Sequence, residues 1–369
     1  MKNYINLKKI RSVLNGLSGL KTVIFCLLAL NLISLSAIYS SLHQAGEFIG
    51  QEIIFKQIIW MLISWVALAV FSFINYRIYF NISYFLYTFN ILLLIVVYFF
   101  GKSAMGAQRW LSIFGFTFQP SELSKVAVII VLARIFSFTQ NKGFLKGFLF
   151  PLVITAINAL IIFKQPDLGT ALVLIFLFLL IGFFSKVPKV YFITFILICS
   201  AFSPLAFNAL KDYQKKRLLV FINPDADPLG SGYTIIQSKI AIGSGKFFGK
   251  GFLSGTQNQF NFLPERHTDF IFTVIAEEWG LAGSIFLIMI YWLILSKILQ
   301  LAKKIQDPFG YFLCLGISAL LFSHVFINIG MTLGVLPVVG IPLIFLSYGG
   351  TSLLISYILM GIFLNVYKR

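Results

Sequence analysis

Ala171-Leu-Val-Leu-Ile-Phe-Leu-Phe-Leu-Leu-Ile-Gly-Phe-Phe184 contains no polar side chain. In hydrocarbon each backbone N–H and C=O must be satisfied inside its own segment, so such a run has to be a helix. Outward from it, apolar runs of about 16 to 25 residues recur along the chain between short charged turns. The 369 residues are 59% hydrophobic and only 11% charged, with a mean hydropathy of +0.92. A soluble domain carries roughly a quarter charged residues, and a membrane β-barrel would show short alternating strands. The expected fold is therefore an all-α polytopic membrane protein of about ten transmembrane helices, near 22–41, 57–74, 78–100, 120–138, 148–163, 168–184, 188–207, 269–297, 309–332 and 342–366. Residues 1–369 form one membrane domain in this reading, with a large extracytoplasmic loop, 208–268, between the seventh and eighth helices.

Basic residues divide unevenly among the loops. Lys2, Lys8, Lys9, Arg11, Lys21, Arg77, Arg134, Lys142, Lys146, Lys186, Lys189, Lys297, Lys303, Lys304, Lys368 and Arg369 fall on one side. By the positive-inside rule that side is cytoplasmic and holds both termini. Lys211, Lys215, Lys216 and Arg217 sit in the long outer loop, but loops of that length translocate largely regardless of charge. The net charge of +17 is scattered over turns, which favours anionic lipid over nucleic acid as the counterion. The first apolar run exceeds a signal-peptide core and is read as a retained helix. Cys26, Cys199 and Cys314 lie in apolar spans without metal-ligand spacing and read as small hydrophobes. No 20–50-residue period repeats.

Polar residues inside such a chain mark function by default, because burying them in lipid is costly. Gln119-Pro-Ser-Glu122-Leu-Ser-Lys125 opens a helix with proline in its first turn and puts Glu122 and Lys125 on one face, either as a tolerated pair or lining a wet cavity. Gly106-Ala-Gln-Arg109-Trp110 precedes it. Lys164-Gln-Pro-Asp167-Leu-Gly169 is a tight turn with or without a further role. If the eighth helix begins near Thr268, Asp269, Thr273 and Glu277 share a face within roughly 80°, with the carboxylates about 12 Å apart along the axis. That separation suits a single catalytic carboxylate, while a helix cap is the plainer role for Asp269. For His267 a hydrogen-bonding role suffices, and His324 reads as buried and satisfied near Asn328. In the long loop, Gly243, Gly245, Gly249, Gly251 and Gly255 with Lys246 and Lys250 offer N–H groups and charge to a phosphate, and Arg217 adds charge for a pyrophosphate, although no nucleotide-binding loop motif is present. Asn223 to Gly230 lacks the spacing of a calcium loop. The last span carries Pro337-Val-Val-Gly-Ile-Pro342 and Ser347-Tyr-Gly-Gly-Thr-Ser352, small residues suited to close packing.

These motifs, with Asp227-Pro-Leu-Gly-Ser-Gly-Tyr233, Gln237 to Gly245, Gly255-Thr-Gln257 and Phe262-Leu-Pro-Glu-Arg-His-Thr-Asp-Phe-Ile-Phe272, occur in one order over nearly the whole chain. In that order they resemble the SEDS family, and Pro264-Glu-Arg-His267 with Ile236 to Ile240 favours its elongation branch over its division branch. The resemblance implies a peptidoglycan glycosyltransferase of the bacterial cytoplasmic membrane that polymerises lipid II, working with a class B penicillin-binding protein and elongation-complex membrane proteins. Asp269 matches the family's essential aspartate, and Trp110, Glu122, Lys125 and Arg217 fall in its functional motifs, while Trp279 stands where relatives commonly carry leucine. Asp269 would act as general base in an inverting transfer. Arg217, Lys239 or a divalent cation (Mg or Mn) would steady the leaving diphosphate, and Arg109 and His267 complete the expected substrate-binding set. A lipid II flippase and a scaffold remain as readings from other classes: the first makes no polymer, and the second could dispense with intramembrane carboxylates.

Overall fold

The computed structural model describes residues 2–43, 47–104, 107–113, 116–138, 143–208, 210, 212–227, 230–260 and 262–368. Gly106, Lys142, Pro228, Leu229, Lys211 and Arg369, named above, lie outside the described residues. Helices α1 (Lys2–Leu42), α2 (Glu47–Phe73), α3 (Arg77–Phe100), α4 (Pro120–Ser137), α5 (Phe150–Lys164), α6 (Leu168–Phe183) and α7 (Lys189–Asn208) precede the long loop. That loop holds α8 (Asp212–Ile222), α9 (Ser231–Ser244) and the single turn α10 (Thr256–Gln259). α11 (Ile271–Ala302), α12 (Pro308–Thr332) and α13 (Gly350–Lys368) follow. Seven of these helical stretches are long and apolar enough to cross a membrane, and α6 and the first part of α7 are shorter apolar helices. α4 stands apart because Glu122, Lys125 and Arg134 interrupt its hydropathy. It is buried along almost its whole length, which is why it tolerates those charges.

α2 packs on α13, α3 on α4, and α1 on α11, while α12 touches α4, α6, α11 and α13. α4 and α12 thus form the centre, with lipid-facing helices around them. Pro120 occupies the first turn of α4 as expected, and Asp167 caps α6 by accepting from Thr170 N at 3.1 Å. The 102–118 segment, expected as a plain loop, folds into three antiparallel strands in the order β1 (Lys102–Ala104), β2 (Ala107–Ile113), β3 (Phe116–Phe118).

Two helix boundaries differ from expectation. α13 starts at Gly350, and residues 333–349 form an irregular strap, with Gly340 and Phe345 at φ +71° and +67°. Prolines at 337 and 342 lack the N–H a helix needs there. α11 starts at Ile271 and is broken at Gly280, whose φ of 66° and ψ of −160° no helix allows. The loop fills the break: Lys250 N and Gly251 N donate to the carbonyls of Glu277 and Glu278 at 3.0 Å, and Leu281 N and Ala282 N donate back to Lys246 and Phe247 at 2.9 and 3.0 Å. Close backbone approach there depends on Gly249, at φ +80°, where a Cβ would collide with the Glu278 carbonyl. Gly249→Ala is therefore expected to destabilise the protein by about 2–4 kcal/mol. Thermal unfolding in detergent checks this, and an unchanged midpoint would contradict the clamp.

Candidate active site at the N-terminal end of α11

Asp269 stands in the turn ahead of α11, so the helical face expected to carry it together with Thr273 and Glu277 does not exist. Glu277 points instead into the Gly-rich loop, where its carboxylate meets Lys250 Nζ at 2.7 Å, Gln257 N at 2.9 Å and Asn258 N at 3.3 Å. Glu278 accepts from Ser40 on α1. The donors of Lys250 and Gly251, read from sequence as a phosphate cradle, are thus spent on α11.

What fixes Asp269 is the strap. Asn328, buried on α12, donates through Nδ2 to the carbonyls of Asp269 and Ile341, each at 2.8 Å. One turn earlier His324 contacts Pro342 O through Nδ1 at 3.0 Å and Lys125 Nζ through Nε2 at 3.1 Å. A carbonyl only accepts, so Nδ1 carries the proton and Nε2 accepts from the ammonium. Lys125 also donates to Glu122 Oε1 at 2.7 Å, the pair being almost wholly buried. Glu122, Lys125 and His324 therefore link α4 to the same strap that carries Gly340, and Asp269 Oδ2 lies 3.3 Å from the place a Cβ on Gly340 would take. His324 is buried and satisfied, as its sequence context suggested.

Charges converge on Asp269. Burial and the carboxylates of Glu265 and Asp167 raise its pKa, Arg217 and Arg109 oppose the rise, and the result is a carboxyl pushed up to about 6. Arg109 on β2 is held by the carbonyls of Gln165, at 3.1 Å, and Pro166. Arg217 on α8 donates to Val338 O at 3.3 Å. Both arginines line one narrow cleft, together with Pro166, Gln214, Val338 and Val339 among others. Asp167 accepts from Gln119 at 3.3 Å as well as from Thr170.

The remaining expected residues sit around this centre. Trp110 is half-buried on β2, paired in register with Lys102. His267 offers its carbonyl to Tyr348 N at 2.9 Å, and burial lowers its pKa, keeping the ring neutral near pH 7. Ser347 Oγ donates to Thr268 O at 2.6 Å, so residues 267–268 are stitched to the strap. Lys239 rests against Gly334 at the end of α12 and does not line the Arg109–Arg217 cleft. Sequence reading missed Gln214, quoted Gln119 within a motif without a role of its own, and gave Asn328 none. The available signal for Asn328 was an amide in an apolar span. Among the described residues no three His, Cys, Asp or Glu side chains converge to hold a metal, and the charges of Arg217 and Arg109 act on the Asp269 carboxylate, a poor setting for a hard divalent cation.

A family model described as a cell cycle protein, FtsW/RodA/SpoVE, matches residues 20–369. The chain is 40% identical to the peptidoglycan glycosyltransferase MrdB of Escherichia coli over 94% of its length and 93% of that protein's. It is 32% identical to the peptidoglycan glycosyltransferase RodA of Treponema pallidum, over 94% and 97%. Its fold superposes on a chain from a peptidoglycan synthase complex that coordinates polymerization and crosslinking, with a TM-score of 0.78, 28% identity and coverage of 94% and 96%. On Thermus thermophilus RodA the TM-score is 0.71, with 25% identity and coverage of 94% and 95%. With motifs in one order, a helical membrane fold and relatives matched from end to end, this chain belongs to the FtsW/RodA/SpoVE family.

Proposed function

We propose that the chain is a peptidoglycan glycosyltransferase of the bacterial cytoplasmic membrane that polymerises lipid II during wall elongation. It crosses the bilayer about ten times with both termini inside, as one domain whose 208–268 loop covers the outer end of the bundle. What carries the reading is Asp269, partly buried just ahead of α11, its carboxyl pushed up to about 6 within reach of the charges of Arg217 and Arg109. A sugar hydroxyl of the acceptor attacks the anomeric carbon of the donor, and the bond from that carbon to the diphosphate oxygen breaks. The electron pair leaves with the lipid diphosphate, and the hydroxyl proton passes to Asp269, inverting the anomeric centre. Arg217 and Arg109 neutralise charge growing on the diphosphate. Glu122 and Lys125 act through His324 and the strap. A class B penicillin-binding protein crosslinks the strands, within an assembly of elongation-complex membrane proteins.

A general base works only when ionised, and Asp269 loses its proton as pH rises through about 6. Polymerisation is therefore expected to climb with pH across that value and level off above it, and a profile flat from pH 5 to 8 would remove the base assignment. A flippase would give no polymer in detergent at any pH.

Asn328→Leu keeps the volume at position 328 but frees both carbonyls that Asn328 holds. Displacing a catalytic group by about 1 Å costs on the order of a hundredfold in rate. The expected result is a fall of about that size in kcat with KM for lipid II little changed. A fall in rate matched by an equal fall in the folded fraction, read from thermal unfolding in detergent, would mean that Asn328 supports only the fold.

A further inference from the structure

Residues 246–252 carry phenylalanines that the fold leaves uncovered: Phe248 is 81% exposed, Phe247 54% and Phe252 50%. Their position is set by backbone bonds. Ala282 N donates to Phe247 O at 3.0 Å, so Phe247 lies level with the break in α11. Below it on α11 the exposed side chains include Leu281, Ile285, Ile288 and Trp292, a helical face at i, i+4, i+7 and i+11 that Phe286 and Met289 widen. An apolar face of a membrane-crossing helix that no other element covers is bathed in acyl chains. Phe252 stacks on Tyr39 of α1 with ring centroids 6.4 Å apart. Tyr39 ends a second exposed face made with Phe25, Leu28 and Leu32. The loop aromatics therefore continue two lipid-facing stripes at the Asp269 end of the bundle. Lys250 beside them is held by Glu277, which places no unpaired carboxylate at the tip.

We propose that residues 246–252 dip into the lipid at that end of the bundle, so that Phe247, Phe248 and Phe252 anchor the long loop to the bilayer. A lipid surface fits because the exposed rings of Phe247, Phe248 and Phe252 continue acyl-chain contact while the exposed Lys246 at the start of the segment suits the headgroup layer, the arrangement that holds interfacial segments at the headgroup boundary. The anchor would keep the loop carrying Arg217 at headgroup height. This inference depends on the membrane fold and is independent of the reaction.

The test is nitroxide accessibility in the full chain reconstituted alone into phosphatidylethanolamine–phosphatidylglycerol vesicles. Cys26 and Cys314 are buried and Cys199 is exposed, so Cys199→Ser supplies the background. Labels go onto Phe248→Cys and Phe252→Cys, with Ile285→Cys as lipid reference and Asp225→Cys as water reference. The expected ratio of oxygen to nickel-chelate collisions at 248 and 252 matches position 285 and exceeds position 225 several-fold. Labels as open to the nickel chelate as position 225, or shielded from both quenchers, overturn the proposal. Labels water-exposed in the chain alone that become shielded on adding a penicillin-binding protein also overturn it, in favour of a protein-docking surface.

Discussion

Replacing Asp269 with asparagine is expected to abolish polymerisation while making the protein more stable. Loss of a general base costs typically 10²–10⁴-fold in rate, and asparagine cannot take the proton. The stability effect follows from linkage. The folded-state pKa of Asp269 is raised to about 6 from an ordinary value of 3.8, so between those values the folded protein binds a proton that the unfolded chain has released. Stability therefore falls as pH rises through that window, and above it the full cost of holding the ionised group, of the order of 2–3 kcal/mol, is present. Asparagine removes that cost, so the variant should melt several degrees higher at pH 7.5 and differ little from wild type near pH 4. An inactive variant that melts lower at both pH values would show a structural role for Asp269 and would leave its chemistry open.

Lys125→Met is expected to be the most damaging change outside the Asp269 turn. It leaves Glu122 buried without its counter-charge and strips the donor from His324 Nε2. Breaking a buried pair from one side costs about 3–5 kcal/mol, since the surviving charge has lost its partner and has no water to replace it. Changing Glu122 to Gln in the same chain removes the stranded charge, so the double variant should recover most of that stability. Activity should not recover with it, because Lys125 reaches the strap through His324 and Pro342. Unfolding of both single variants and the double variant in detergent gives the coupling. Additive losses would mean that the pair contributes little.

The helices were legible because backbone satisfaction in lipid leaves no other choice for runs such as 171–184, and a helix stands at every expected span. What the sequence could not signal is where backbone departs from helix for tertiary reasons. Gly280 lies in an apolar run that tolerates glycine, and only the loop bonding across residues 277–282 makes it a break. The same pairing consumes the glycine-rich loop, whose composition suggests an anion cradle. Asp269 was found as a residue. Its helical placement was not, because the turn from Glu265, at φ +51°, delays α11 to Ile271. Asp167 and Arg109 occur in quoted motifs, yet their convergence on Asp269 joins the α5–α6 turn to β2 over a separation that no local pattern encodes. Asn328 acts through two main-chain carbonyls, one 59 residues away, and pattern reading has no access to such bonds.

The most direct test of the central claim is polymerisation of purified lipid II in detergent by this chain with its cognate penicillin-binding protein, comparing wild type with Asp269→Ala. Long glycan strands from wild type and none from the variant are the predicted result. Strands of equal length and yield from the variant would contradict the role of Asp269, and no strands from wild type, with the partner's crosslinking intact, would contradict the polymerase itself.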